Sequence, residues 1–89
     1  MTSKERANFR SMANTIQPIL QIGKNGISDN FIKQVDDALE ARELIKITLL
    51  ETAGETAKDL ANEIAKSVNA EVIQVIGSKF VLYRKSNKK

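Results

Sequence analysis

The chain has 89 residues, with 14 Lys or Arg against 11 Asp or Glu, which gives a net charge of +3 at pH 7. It has no Cys and no His, which excludes disulfides, thiolate metal sites and every catalytic triad built on histidine. This length is that of one small domain, and a hydrophobic fraction of 42% is enough for a packed core. Because no apolar stretch is long enough to span a membrane or to act as a leader, we expect a cytoplasmic protein.

The charge is distributed unevenly along the chain. Residues 1–26 carry four bases and one acid, and residues 27–78 carry five bases and ten acids. Residues 79–89 carry five bases and no acid. Basic ends around an acidic middle indicate a domain that meets a polyanion on one side only.

The first two predicted elements are a helix and a short strand. Thr2 followed by Glu5 fits a capping box, which begins a helix predicted over residues 3–14. Pro18 breaks any helix, and the apolar residues 19, 20 and 22 predict a strand that ends at Gly23.

A second helix and a second strand follow. Ser28 is a candidate N-cap, and apolar residues at 31, 35, 38 and 39 fall on one helical face. Asp29 in the first turn and Arg42 in the last both match the helix dipole. Residues 45–50 then alternate between apolar and polar as far as Leu49, which is typical of a half-buried strand.

The third helix has the strongest periodicity in the chain. Thr56 is its candidate N-cap, and apolar residues recur at 57, 60, 61, 64, 65 and 68. Residues 72–76 and 80–83 predict two strands joined by a tight turn at Gly77-Ser78. The order α-β-α-β-α-β-β favours an α/β fold, a four-stranded mixed sheet with three helices. We expect a single domain over residues 1–85 and a basic flexible tail over residues 86–89.

The loop Gly23-Lys24-Asn25-Gly26 is the best candidate for a binding site. Two glycines permit unusual backbone angles, successive amide N–H groups can face an anion, and the next helix adds the positive end of its dipole. KH domains clamp a nucleic-acid backbone with a G-x-x-G loop, although theirs joins two helices. The pattern alone leaves a simple turn as the alternative.

Topology predicts which cations gather at this loop. Ligands of open α/β sheets bind at the carboxyl ends of strands, where the Gly23–Gly26 loop lies. If helix 1 packs antiparallel to strand 1, Lys4 and Arg6 lie at the same end. If strand 3 runs parallel to strand 1, Lys79 lies there too. Arg10 shares a helical face with Arg6, and Arg84 begins at the opposite end of the sheet.

The aromatic and acidic residues each allow two interpretations. Tyr83 is expected to be buried if helices cover both faces of the sheet, and to be able to stack on a base if one face is open. The acids of helix 2 are expected to form a solvated polar face rather than a carboxylate cluster for metal binding or acid–base chemistry. Docking of a basic protein partner on this acidic face is the alternative function. The core is expected to hold Phe9, Phe31 and Phe80, and the acidic face to hold Asp36, Asp37, Glu40 and Glu43.

Two stretches of the sequence resemble a known family. LQIGKNGISDNFIKQVDDALEARELIKI and the later VIQVIGSKFVLYRK resemble the CRM domain (chloroplast RNA splicing and ribosome maturation), more closely its stand-alone bacterial YhbY family. The specific features are the G-x-N-G loop at residues 23–26, the ELIKI strand at 43–47 and the IG…VLYR ending at 76–84.

The resemblance implies a sheet like that of the C-terminal domain of bacterial translation initiation factor three. It also implies a protein that binds ribosomal RNA of large-subunit precursors, acts in ribosome assembly and is not an enzyme. Matched by position, the expected RNA contacts are Gly23, Lys24, Asn25, Gly26 and Arg84. The basic surface expected from topology adds Lys4, Arg6, Arg10 and Lys79. We expect no metal or other cofactor, and a monomer.

Overall fold

A computed structural model describes residues 2–23, 27–50 and 56–86. The elements in chain order are α1 Ser3–Ala13, β1 Leu20–Ile22, α2 Asp29–Arg42, β2 Leu44–Leu49, α3 Ala57–Val68, β3 Glu71–Ile76 and β4 Lys79–Tyr83. The predicted α/β order is confirmed. Within the described ranges, none of the helices has the length and apolar character needed to cross a membrane.

Each helix begins where the sequence places an N-cap. Thr2 accepts a hydrogen bond from the Glu5 backbone, and the Glu5 side chain accepts one from the Thr2 backbone, which completes the capping box. Ser28 and Thr56 cap α2 and α3 through their side-chain oxygens. Each cap contributes about 1 kcal/mol by satisfying an N–H group that the helix leaves unpaired.

The strands form one sheet in the order β1-β2-β4-β3. β1 and β2 are parallel, whereas β4 is antiparallel to both β2 and β3. β3 therefore runs in the same direction as β1, which is the condition under which Lys79 lies near the loop. The carboxyl ends of β1, β2 and β3 lie together at one end of the sheet, and we call this end, which holds Gly23, Leu50 and Ser78, the loop edge. The opposite side, at Leu44, Glu71 and Tyr83, is the far edge.

One face of the sheet is covered by α2 and α3, and the main core lies between these two helices and the sheet. Helix residues such as Leu39 and Ile64 are fully buried against strand residues such as Ile47 and Phe80. Burying one such side chain stabilises the fold by about 1.5–3 kcal/mol. The strong periodicity of α3 therefore reflects its packing on this core.

The second face is covered by α1 over its far half. Phe9 stacks on Tyr83, with ring centroids 4.1 Å apart and an angle of 27° between the planes. Ala13 and Val81 are buried in the same cluster, which Leu44 also packs against. Apart from Val81, the described side chains of this face toward the loop edge are exposed or half-buried.

β3 contains a bulge that changes which side chains face α1. Val72 pairs with Leu82 and Gln74 pairs with Val81, so two steps along β3 match one step along β4. Val72 packs against the main core, whereas Ile73 belongs to the cluster under α1. Because Gln74 lies opposite Val81, it faces the same side as Ile73.

Candidate nucleic-acid interface

Three strand ends meet at the loop edge. The Leu50 N–H donates to the Ile22 carbonyl at 2.9 Å, and the Leu49 N–H donates to the Ser78 carbonyl at 2.7 Å. These bonds hold the end of β1 beside the end of β2, and the end of β2 beside the β3–β4 turn. The predicted placement of Gly23 and Lys79 on one edge is therefore confirmed. The other predicted loop contacts, Lys24, Asn25 and Gly26, lie outside the described residues.

Gly23 lies in open space. A Cβ atom added there would meet no atom within 4 Å. Among the described glycines a positive φ occurs at Gly77, at 57°, and not at Gly23. The expected unusual backbone angle is therefore not found at Gly23. Its lack of a side chain instead leaves room for the backbone of a ligand to approach closely.

The start of α2 has fewer free N–H donors and less positive charge to offer an anion than the sequence predicts. The Ser28 hydroxyl accepts from the Phe31 N–H at 3.1 Å, so a protein group already satisfies one of the first-turn donors. The exposed carboxylate of Asp29 also occupies the positive end of the helix dipole. A phosphate at this helix start would share it with Asp29, so the helix dipole can contribute little to binding.

Arg6 lies at the far edge. Its Nη1 donates to the Val72 carbonyl, and its Nη2 forms an ion pair with Glu71 at 3.2 Å. At the ordinary rise per residue, β3 separates these contacts from the β3–β4 turn by about 17 Å. The expectation that Arg6 meets the loop is therefore wrong, because α1 packs across the far half of the sheet. Lys4 and Arg10, on the same helix, are exposed.

Arg84 is bound within the fold. Its Nη1 donates to the Asp36 carboxylate and to the Val68 carbonyl, the latter at 2.8 Å. Its Nη2 donates to the Asp36 carbonyl at 3.0 Å and to the Glu40 carboxylate at 3.2 Å. The side chain is 15% exposed. Arg84 therefore ties the end of β4 to α2 and α3, and this position does not support the predicted RNA contact.

The acidic face of α2 is used in part by the C-terminal segment. Asp36 and Glu40 bind Arg84, as described above. The Ser86 N–H donates to Glu43 at 2.8 Å, and its hydroxyl donates to Glu40 at 3.1 Å. Ser86, the first residue of the predicted flexible tail, is 2% exposed and is therefore packed against α2. The expectation of a fully solvated acidic face is corrected accordingly.

The aromatic side chains serve packing. Phe31 and Phe80 are buried in the main core, and Phe9 is partly buried against Tyr83. The core assignment of the three phenylalanines is confirmed. Tyr83 is half-buried beneath α1, as expected for a sheet with helices on both faces.

Sequence reasoning missed Lys46. It lies between Ile45 and Ile47, which are buried in the main core, so strand alternation places Lys46 on the other face. There it borders a shallow cavity of about 90 Å³. The lining residues are Lys46, Gln74, Ile76, Lys79 and Val81. Alternation in ELIKI was the available signal, but only the pairing of β2 with β4 shows that Lys46 and Lys79 are neighbours.

Comparison with known proteins shows what the chain is similar to. The family described as CRS1 / YhbY (CRM) domain matches residues 1–84. The chain is 43% identical over 86 residues to "Probable RNA-binding protein YqeI" of Bacillus subtilis, which covers 97% of this chain and 90% of that protein. It is 29% identical over 86 residues to an "RNA-binding protein" of Haemophilus influenzae, at 97% and 87% coverage. The solution structure of hypothetical protein SAV1595 from Staphylococcus aureus matches with a TM-score of 0.82 and 47% identity, over 98% of this chain and 91% of that one.

Proposed function

The chain belongs to the CRS1/YhbY (CRM) domain family, and from that premise we propose that it binds ribosomal RNA of large-subunit precursors during ribosome assembly. The observation that carries this proposal is the loop edge, where Gly23 lies in open space on the same edge as Lys79. Two relatives that match over nearly their whole length are named as RNA-binding proteins. The family resemblance supplies the large-subunit precursor as the target.

In the proposed mechanism, the loop edge holds the phosphate backbone. Backbone N–H groups of residues 23–26 donate to phosphate oxygens, while Lys24 and Lys79 supply positive charge. Such contacts position the protein without reading sequence, so selectivity comes from the shape of the RNA. The exposed Lys4 and Arg10 add longer-range attraction that salt weakens.

Two other function classes receive less support. Three of the four acids proposed for an adaptor surface, Asp36, Glu40 and Glu43, bind Arg84 or Ser86. A chain without His and Cys lacks the commonest general base and a strong nucleophile. We therefore propose a binding protein rather than an adaptor or an enzyme.

The proposed function is tested by titrating a large-subunit rRNA fragment at several salt concentrations. Lys24→Ala and Lys79→Ala are each expected to weaken binding and to lower the slope of log affinity against log salt by about 1. Lys66→Ala is the matched control, because Lys66 is exposed on α3, which covers the other face. Unchanged slopes in both loop-edge variants would remove this edge from the mechanism.

Sedimentation of cell lysate on sucrose gradients tests the target. The protein is expected to migrate with precursors of the large subunit, and ribonuclease is expected to release it. Migration as free protein at every salt concentration would contradict the assembly role.

A further inference from the structure

The half of the second sheet face that α1 leaves uncovered has a regular arrangement of side chains. In the row nearest the loop edge, Thr48 lies opposite Lys79, which lies opposite Ile76. In the next row, Lys46 lies opposite Val81, which lies opposite Gln74. We call the solvent-accessible members of these rows the open patch: Lys46, Thr48, Gln74, Ile76 and Lys79.

The open patch combines apolar, amide and cationic groups around its shallow cavity. Two apolar side chains line the cavity. Val81 belongs to the cluster under α1 and is 2% exposed, whereas Ile76 is 59% exposed. Gln74 offers one amide donor group and one acceptor. Lys46 and Lys79 are diagonal neighbours on adjacent strands, at an ordinary separation of about 7 Å.

The charged side chains that the structure describes on this face near the loop edge are all positive. Among the described strand residues that face α1, Glu71 is the one acid, and it lies at the far edge in its ion pair with Arg6. The two charged members of the open patch, Lys46 and Lys79, are thus both basic. It is also continuous with the loop edge, because Lys79 follows Ser78 directly.

These groups match the chemistry of an unpaired RNA base. A base has flat faces that pack on apolar side chains, an edge that pairs with an amide, and phosphates on either side. A base within a duplex is stacked and paired, so it cannot enter a cavity on a sheet face. The patch therefore suits loops, bulges and strand ends.

We propose that the open patch binds one unpaired base of the RNA whose backbone is held at the loop edge. Ile76 packs on a face of the base, Gln74 bonds its edge, and Lys46 and Lys79 bind the flanking phosphates. This inference rests on the proposed function, since one RNA occupies both places. It extends that function from recognition of a backbone to selection of a single-stranded element.

The test compares two RNA hairpins of equal length, one with an unpaired internal loop and one fully paired. Gln74→Ala and Ile76→Ser are each expected to weaken binding of the looped RNA roughly fivefold, the scale of one lost polar or apolar contact. Neither is expected to change binding of the paired RNA. Met12→Ser is the matched control, because Met12 is an exposed apolar residue on α1, 47% accessible. Circular dichroism confirms that each variant is folded.

The outcomes separate the two proposals. If the wild type binds RNA but both variants lose nothing, or lose affinity equally for the two hairpins, base binding at the patch is overturned while RNA binding stands. If the wild type binds neither hairpin, both proposals are overturned. If sedimentation equilibrium shows a dimer that Ile76→Ser dissociates without changing RNA affinity, the patch binds a second copy of the chain, and the base assignment is overturned.

Discussion

Arg84 donates to Asp36 twice, from Nη1 to the side-chain carboxylate and from Nη2 to the backbone carbonyl at 3.0 Å. The same guanidinium reaches Glu40 and the carbonyl of Val68. The planar fork of arginine makes this set of bonds possible, and an ammonium group has no equivalent geometry. One side chain thus joins the last strand to both helices of the main core.

Loss of this arginine is expected to destabilise the fold. Arg84→Ala lowers the free energy of unfolding by about 3 kcal/mol, because it removes the bonds to Asp36, Val68 and Glu40, and Glu40 is only 18% exposed. Arg84→Lys costs less, about 1–2 kcal/mol, because a cation remains but the fork is lost. Urea denaturation measures both changes, with Lys85→Ala as the exposed neighbouring control. Unchanged stability together with weaker RNA binding would instead make Arg84 an RNA contact.

The stacked pair of Phe9 and Tyr83 is expected to hold α1 on the sheet. Phe9→Ala lowers the free energy of unfolding by about 2 kcal/mol, since it removes the stack and leaves space beneath α1. Tyr83→Phe keeps the ring and changes stability by less than about 0.5 kcal/mol. Thermal unfolding gives both values. A loss of RNA affinity in folded Tyr83→Phe would show that the hydroxyl group contacts RNA.

Two glycines at the loop edge are expected to respond differently to replacement by alanine. Gly77→Ala destabilises by about 1 kcal/mol, because its φ of 57° disfavours a side chain. Gly23→Ala leaves stability unchanged, since its Cβ has open space. It is expected to weaken rRNA binding roughly fivefold by obstructing the ligand backbone. Equal affinity for Gly23→Ala and the wild type would contradict a close approach at this residue.

Arg6 and Arg10 form a matched pair one turn apart on α1. Arg6→Ala is expected to cost about 1 kcal/mol of stability, mostly through the lost hydrogen bond to the Val72 carbonyl. Its ion pair with Glu71 is largely exposed and adds little. Arg10→Ala keeps stability and lowers the salt dependence of rRNA binding. The reverse pattern in urea denaturation and salt titration would exchange the two roles.

Local signals predicted the elements of this fold well. Thr2, Ser28 and Thr56 each mark a helix start, because a capping oxygen acts within three residues along the chain. The apolar spacing after Thr56 likewise determines which side of α3 is buried. The order of the elements favoured parallel strands, and the sheet meets the condition, β3 parallel to β1, under which Lys79 was expected near the loop.

Contacts between distant residues escaped prediction. Arg84 and Asp36 lie 48 positions apart, and nothing in the sequence near Arg84 indicates that α2 supplies its partners. The position of α1 on the sheet depends on which half of the second face its few apolar residues fit, so Arg6 was assigned to the wrong edge. Lys46 was missed because its neighbour Lys79 is defined by the register of β2 and β4.

The bulge in β3 has a consequence for sequence change in this family. If the same residues paired without the bulge, strict alternation from Val72 would turn Gln74 and Ile76 toward the core and Val75 outward. Deleting Ile73 removes the additional residue itself, so Gln74, Val75 and Ile76 would keep their partners on β4 and their present sides. The cluster under α1 would instead lose an apolar side chain that is 5% exposed. Loss of one residue here is therefore expected to loosen the attachment of α1 while the exposed surface of the strand stays in register.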